Sequence, residues 1–165
     1  PYNDRAGGTA TPIAGAATAE YAEYYPAFSP DDALLIYNRI PMGQNMYNAP
    51  NAELYAIPAS GGTPTRLAAN DPPQCSGKVS PGVTNSWPKW SPQAQTVNGK
   101  TYYWTIFSST RGEGGNPQLY VTAVVEEGGA LTTYPALYLW NQPPGENNHT
   151  PAWDVFEIPP VPPPR

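Results

Sequence analysis

The sequence predicts an all-β fold assembled from repeated four-stranded antiparallel sheets. Three observations carry that prediction. An aromatic anchor recurs at Phe28, Trp90 and Trp153, at spacings of 62 and 63 residues. Behind the first two anchors lie the same two strand-like runs and a glycine pair. The composition also suits short strands and tight turns better than helices, since 38 of 165 residues are Pro or Gly and 20 are aromatic. Pro fixes φ and lacks the N–H, so it interrupts helices, whereas aromatic residues favour strands.

The head of the unit is Tyr25-Pro26-Ala27-Phe28-Ser29-Pro30, echoed by Trp87-Pro88-Lys89-Trp90-Ser91-Pro92. Thr150-Pro151-Ala152-Trp153-Asp154 keeps the head of a third copy. In the Ser-Pro segments the proline presets φ for a turn, and Asp31, Asp32 and the serines suit the positions around it. The anchor ring before each serine is expected to point into the space between sheets. Next come the apolar strands Leu34-Leu35-Ile36-Tyr37-Asn38 and Trp104-Thr105-Ile106-Phe107-Ser108. The alternating runs Glu53-Leu54-Tyr55-Ala56-Ile57 and Gln118-Leu119-Tyr120-Val121-Thr122 follow as further strands. Gly61-Gly62, Gly7-Gly8 and Gly128-Gly129 then each precede a short strand-like run, as hairpin turns with positive φ would.

A unit of this kind has two sheet faces and buries both only by stacking on neighbours around an axis, which is the logic of β-propeller blades. The organisation read from the repeat is therefore sequential. Residues 1–13 end a preceding blade, and 14–24 form an Ala-rich connector, either a helical turn or a loop. Residues 25–86 are a blade unit with its linking loop, and 87–149 a second blade unit. Residues 150–157 start a third unit or supply a closing strand. Residues 158–165 are a Pro-rich tail that cannot enter a central sheet and should be extended polyproline II. Propellers close with about four to eight blades, so the propeller is incomplete within this chain. The expectation is a C-terminal piece of a longer propeller; assembly with copies of itself, or completion of another protein's propeller, are the alternatives.

These residues resemble the TolB-like, WD40-like (PD40) repeats of bacterial β-propellers. The family pattern is an aromatic followed by Ser-Pro-Asp-Gly, an apolar strand, a Leu-Tyr strand, then Gly-Gly and a short strand ending in Leu. Residues 28–67 match it with Asp32 in place of the usual Gly. Residues 90–134 match it with Gln93-Ala94 in place of Asp-Gly and a longer lead-in. The resemblance implies a periplasmic or otherwise exported chain that serves as a scaffold for protein–protein or cell-envelope interactions. It equally implies the alternative of an accessory propeller portion of an exported enzyme whose catalytic residues lie outside this chain.

Composition narrows the chemistry. No stretch approaches the ~20 apolar residues of a membrane helix. A net charge of −5 with scattered Lys and Arg argues against a nucleic-acid surface. The single cysteine, Cys75, excludes an internal disulfide framework. A single histidine, His149, excludes His-rich metal sites and leaves no nominee for a Ser-His-Asp set. Asp31-Asp32 and Asn70-Asp71 read as turns, and no loop has the spaced acidic ligands of a Ca²⁺ site. No cofactor is expected, with Ca²⁺ the one ion considered.

The candidate binding residues sit on loops, where binding function concentrates. Met42, Met46 and Tyr47 lie on the insert 41–51 between two strands, and Met and Tyr suit protein contact. His149 stands just before the third unit head. Each has a plain alternative: a loop packed on its own blade, and a hydrogen-bonding structural histidine.

Overall fold

The computed structural model describes residues 9–154. Residues 1–8, which include the Gly7-Gly8 pair, residues 155–157 of the expected third-unit start, and the Pro-rich tail 158–165 lie outside the described residues. Within them the chain is all-β, with two antiparallel sheets and only three short 3-10 turns. The first sheet is a meander of β1 (Tyr21–Phe28), β2 (Leu34–Pro41), β3 (Glu53–Pro58) and β4 (Thr65–Arg66). The second continues in the same order with β5 (Ser86–Val97), β6 (Lys100–Ser109), β7 (Gln118–Glu127) and β8 (Ala130–Thr133). The fifth strand, β9 (Leu137–Tyr138), pairs with Tyr120 and Val121 of β7. Because β6 occupies one edge of β7 throughout, β8 and β9 share the other edge end to end.

The register reproduces the repeat. Tyr37 pairs with Tyr55 in the first sheet and Phe107 with Tyr120 in the second. Asn38 with Leu54 corresponds to Ser108 with Leu119, and the anchor pair Phe28–Leu35 corresponds to Trp90–Thr105. Directly paired residues share a face, so each sheet has two definable faces. The A face carries Ile36, Leu54-side neighbours and Ala56 in the first sheet, and Trp104, Ile106, Val121 and Ala123 in the second. The B face carries Leu35, Tyr37, Tyr55 and Ile57 in the first, and Trp90, Phe107 and Tyr120 in the second.

The sheets pack A face on B face. Leu34, Ile36, Leu54 and Ala56 form one core with Trp90, Tyr103, Phe107, Tyr120 and Val124. The stacking is therefore head to tail, not two equivalent faces back to back. Trp90 is only 7% exposed and its Nε1 donates to the carbonyl of Ala27 on β1 at 3.0 Å. Phe28, its counterpart, has no such neighbour and is 53% exposed.

A buried polar seam links the two sheets. Asn38, Asn70 and Asn85 are fully buried. Asn38 Nδ2 donates to Asn85 O (2.7 Å), Asn85 Nδ2 to Asn70 O (3.0 Å), and Asn38 Oδ1 accepts from the Trp87 N–H (3.1 Å). The buried Arg111 donates to Ala69 O and Asn85 Oδ1 and lies over the Phe107 and Tyr120 rings. Burial lowers its pKa to about 10, still charged at neutral pH.

Three local features depart from the sequence reading. Residues 9–13 form no strand; instead Ala16 N–H donates to Ile13 O, and Ile13 and Ala16 cover the B face of the first sheet. The stretch taken as connector already contains the start of β1, at Tyr21. Ser29-Pro30-Asp31 does turn: Ser29 Oγ donates to Asp31 Oδ1 and accepts from Leu34 N–H. Ser91-Pro92-Gln93 does not turn. It is a bulge inside β5, opposite Trp104. The strands run on to a two-residue turn at Asn98-Gly99, where φ is +51° and +76°. Asn-Gly with both φ positive fits the twist of a tight hairpin, so the turn forms there, which accounts for the longer lead-in.

Candidate functional site

The aromatic-Pro dipeptides at the unit heads place side chains that the repeat alone did not reveal as partners. Opposite Tyr37, β1 inserts Tyr25 and Pro26; opposite Phe107, β5 inserts Trp87 and Pro88. Both are β-bulges, and the bulged residues take φ of +50° at Tyr25 and +58° at Trp87. Positive φ is an outlier for bulky residues and costs about 1–3 kcal/mol. The bulge turns each ring out of its sheet toward the same rim. There the rings stack, with centroids 3.9 Å apart and planes 20° from parallel. Such a pair returns about 0.5–1.5 kcal/mol beyond area burial.

His149 extends the stack. Its ring lies 5.5 Å from Trp87 and 5.4 Å from Tyr47, and its Nε2 is 2.5 Å from Asn48 Oδ1. The structure thus unites Tyr47 and His149, two of the four candidate residues, which are far apart in sequence. The insert that carries Tyr47 is held at its base by Ala49 and Ala52, which pack on Tyr24 and Ile40. Met42 and Met46 are exposed on that insert. Burial raises the pKa of Tyr25, and Tyr47 nearby raises it further.

This rim brings three aromatic rings, an imidazole and an amide together. His149 faces the Asn48 amide and the rings of Tyr47 and Trp87. Among the described residues no three His, Cys, Asp or Glu side chains converge as metal ligands. Cys75 is exposed on a short 3-10 turn. No helix among them is long and apolar enough to cross a membrane.

A second surface was not singled out from sequence. The A face of the second sheet forms an apolar groove of about 480 Å³, lined by Trp104, Ala123, Val125, Tyr134, Pro135 and Leu137. Leu137 is 64% exposed and Trp104 39%. The available signal lay in β6: Tyr102, Trp104 and Ile106 on one face alternate with Tyr103 and Phe107 on the other, so both faces carry large aromatic side chains, as in a strand covered on both sides. Comparison with protein-family models, characterised protein sequences and solved structures finds no match.

Proposed function

We propose that this chain is a pair of β-propeller blades that mediates protein–protein or cell-envelope contacts inside a larger assembly and catalyses no reaction itself. The observation that carries the reading is the head-to-tail stacking of two equivalent sheets. A back-to-back pair would hide both apolar faces and be complete. An A-on-B pair leaves one A face uncovered, and here that face is an apolar groove. Contiguous exposed apolar surface on a water-soluble domain marks an interaction site. The loop residues Met42, Met46 and Tyr47 are further exposed contact surface. A location outside the cytoplasm, periplasmic or extracellular, belongs to the same proposal and rests on the repeat's resemblance.

The test is the mass of the native particle, by light scattering with intact mass spectrometry on unproteolysed material. The expected particle is larger than one chain of this length and contains additional sheet-forming polypeptide. A stable monomer of the chain's own mass overturns the proposal.

A further inference from the structure

The outer face of the first sheet shows how this chain treats apolar sheet surface. Ile13 and Ala16, on a stretch outside any strand, pack on Leu35, Tyr37 and Ile57. The stretch is tied down, with the Gly62 N–H donating to Ala14 O at 3.0 Å. A Cβ on Gly15 would lie 1.8 Å from Gly62 O, so glycine is what permits the approach. An irregular segment of the chain therefore roofs part of one outer face. The groove on the outer face of the second sheet stays open among the described residues, with Trp104, Tyr134 and Leu137 exposed.

That groove has an axis. Its floor is Ala123 and Val125 on β7. The register sets Trp104 and Tyr102 of β6 beside them on one flank. Tyr134, Pro135 and Leu137, on the opposite edge of β7, line the other. Small side chains between two rows of large ones make a channel that runs along β7. Its walls carry donors, the Trp104 indole N–H and the Tyr102 and Tyr134 hydroxyls. The C-terminal stretch comes to the start of this channel. Gln118 Nε2, at the first residue of β7, donates to Glu146 O at 2.6 Å, and Asn148 N–H donates to Pro117 O at 2.9 Å. At about 3.4 Å per strand residue, Ala123 and Val125 lie roughly 17 and 24 Å further along. Residues 150–157 can span up to about 26 Å, which puts the floor within reach of residues 158–165.

Residues 158–165 read Ile-Pro-Pro-Val-Pro-Pro-Pro-Arg. Such a composition favours polyproline II, a preformed helix without internal hydrogen bonds that loses little entropy on docking. Segments with PxxP spacing dock in aromatic-lined grooves, and Pro159–Pro162 and Pro160–Pro163 both have that spacing. Proline also keeps its carbonyl and lacks the N–H, which suits walls that carry donors. We propose that the Pro-rich segment 158–165 lies in the channel of its own chain, on Tyr102, Trp104 and Tyr134. The chain then covers part of each outer face with an irregular segment of its own, and a partner for the channel has to displace this one. The inference goes beyond the assembly reading and does not depend on it.

The test uses the full chain with Val161→p-benzoylphenylalanine, irradiated in the native particle and mapped by mass spectrometry. The expected crosslinks join position 161 to Tyr102, Trp104, Tyr134 or Leu137 within a single chain. Hydroxyl-radical footprinting checks the channel side. Pro159→Gly, Pro160→Gly, Pro162→Gly and Pro163→Gly together keep the length of the segment and remove its preformed helix. Labelling at Trp104 and Tyr134 should then rise severalfold against the exposed Tyr47, while the buried Phe107 stays protected. Crosslinks that fall outside the channel, or that join two chains, overturn the inference. So does labelling that the glycine variant leaves unchanged. At a high rate the channel is open in both proteins; at a low rate a partner fills it, which leaves the assembly reading standing. A particle of one chain's mass with the expected crosslinks removes the assembly reading and keeps this one.

Discussion

At Asn85 one side chain and its own carbonyl tie three stretches of the chain together: Asn38 on β2, Asn70 after β4 and Arg111 after β6. Hydrogen bonds to buried charged groups are worth about 1.5–3 kcal/mol. Asn85→Ala is therefore expected to destabilise the fold by about 2–3 kcal/mol, because Arg111 keeps its charge and loses an acceptor. Urea unfolding should show a lower midpoint with an unchanged slope; an unchanged midpoint would mean that the seam is decorative. Asp31 joins the sheets from the other side, accepting from Tyr103 OH at 2.7 Å. Burial alone would raise its pKa, but hydrogen bonds from Ser29, Tyr103 and the Ala33 N–H outweigh it and hold the value below the ordinary range. The contribution of a depressed carboxylate is complete above its unfolded pKa of about 4 and disappears as pH falls through the lower folded value. Tyr103→Phe should cost about 1.5 kcal/mol near neutrality, the low end for a hydrogen bond to a charged, partly buried acceptor. It should also flatten the acid limb of a stability–pH curve measured by urea titration. An unaltered acid limb would assign that limb to other carboxylates. Neither contact was legible beforehand. Residue type nominated Tyr47 and His149 as binding candidates, and Asp31 as turn material, but partners this distant in sequence emerge only when the two sheets meet.

The elements were legible to different degrees. The strands around Ile36, Tyr55, Ile106 and Tyr120 could be read from their runs, and Gly128-Gly129 does form a two-residue hairpin with φ of +59° and +86°. The Asn98-Gly99 hairpin is an equally strong local signal, but the repeat places the corresponding turn at Ser91-Pro92. Where a good I′ dipeptide competes with a Ser-Pro lacking its Asp, the strands extend and the Ser-Pro becomes a bulge. Residues 9–17 were illegible for another reason: their conformation is dictated by the sheet they cover. That makes their glycines informative. Gly15 has φ of +90° and no room for a Cβ, whereas Gly43 has φ of +85° and nothing within 4 Å. Gly43→Ala should cost only the left-handed backbone penalty of about 1–2 kcal/mol. Gly15→Ala adds a collision with a backbone carbonyl, so the roof must lift. The expected signature is faster hydrogen exchange at the Gly62 amide and greater reactivity around Leu35 and Tyr37, with the second sheet unaffected. Equal behaviour of the two variants would show that the roof is only loosely attached.

For the whole molecule, the period of the repeat was visible in sequence but the direction of stacking was not. Periodicity locates equivalent residues without saying which face of one unit meets which face of the next; that follows only from seeing Ile36 on one side of the core and Phe107 on the other. The consequence is a shared core. Leu34, Ile36 and Leu54 of the first sheet and Tyr103, Phe107 and Val124 of the second are buried by each other, so neither sheet has a finished interior alone. Trp90 stands at the centre of this dependence, packed in the common cluster and bonded to Ala27 of the other sheet. Trp90→Ala should cost about 3–5 kcal/mol, the range for emptying an aromatic site in a core. Because the loss falls on a joint interior, it should appear equally in both sheets. Native-state hydrogen exchange checks this: the amides of Ile36 on β2 and Phe107 on β6 should accelerate by the same factor, through one global opening. Acceleration confined to β5–β8 would mean that the first sheet, with its roof, is stable without its neighbour. The two sheets would then be separate folding units that merely touch.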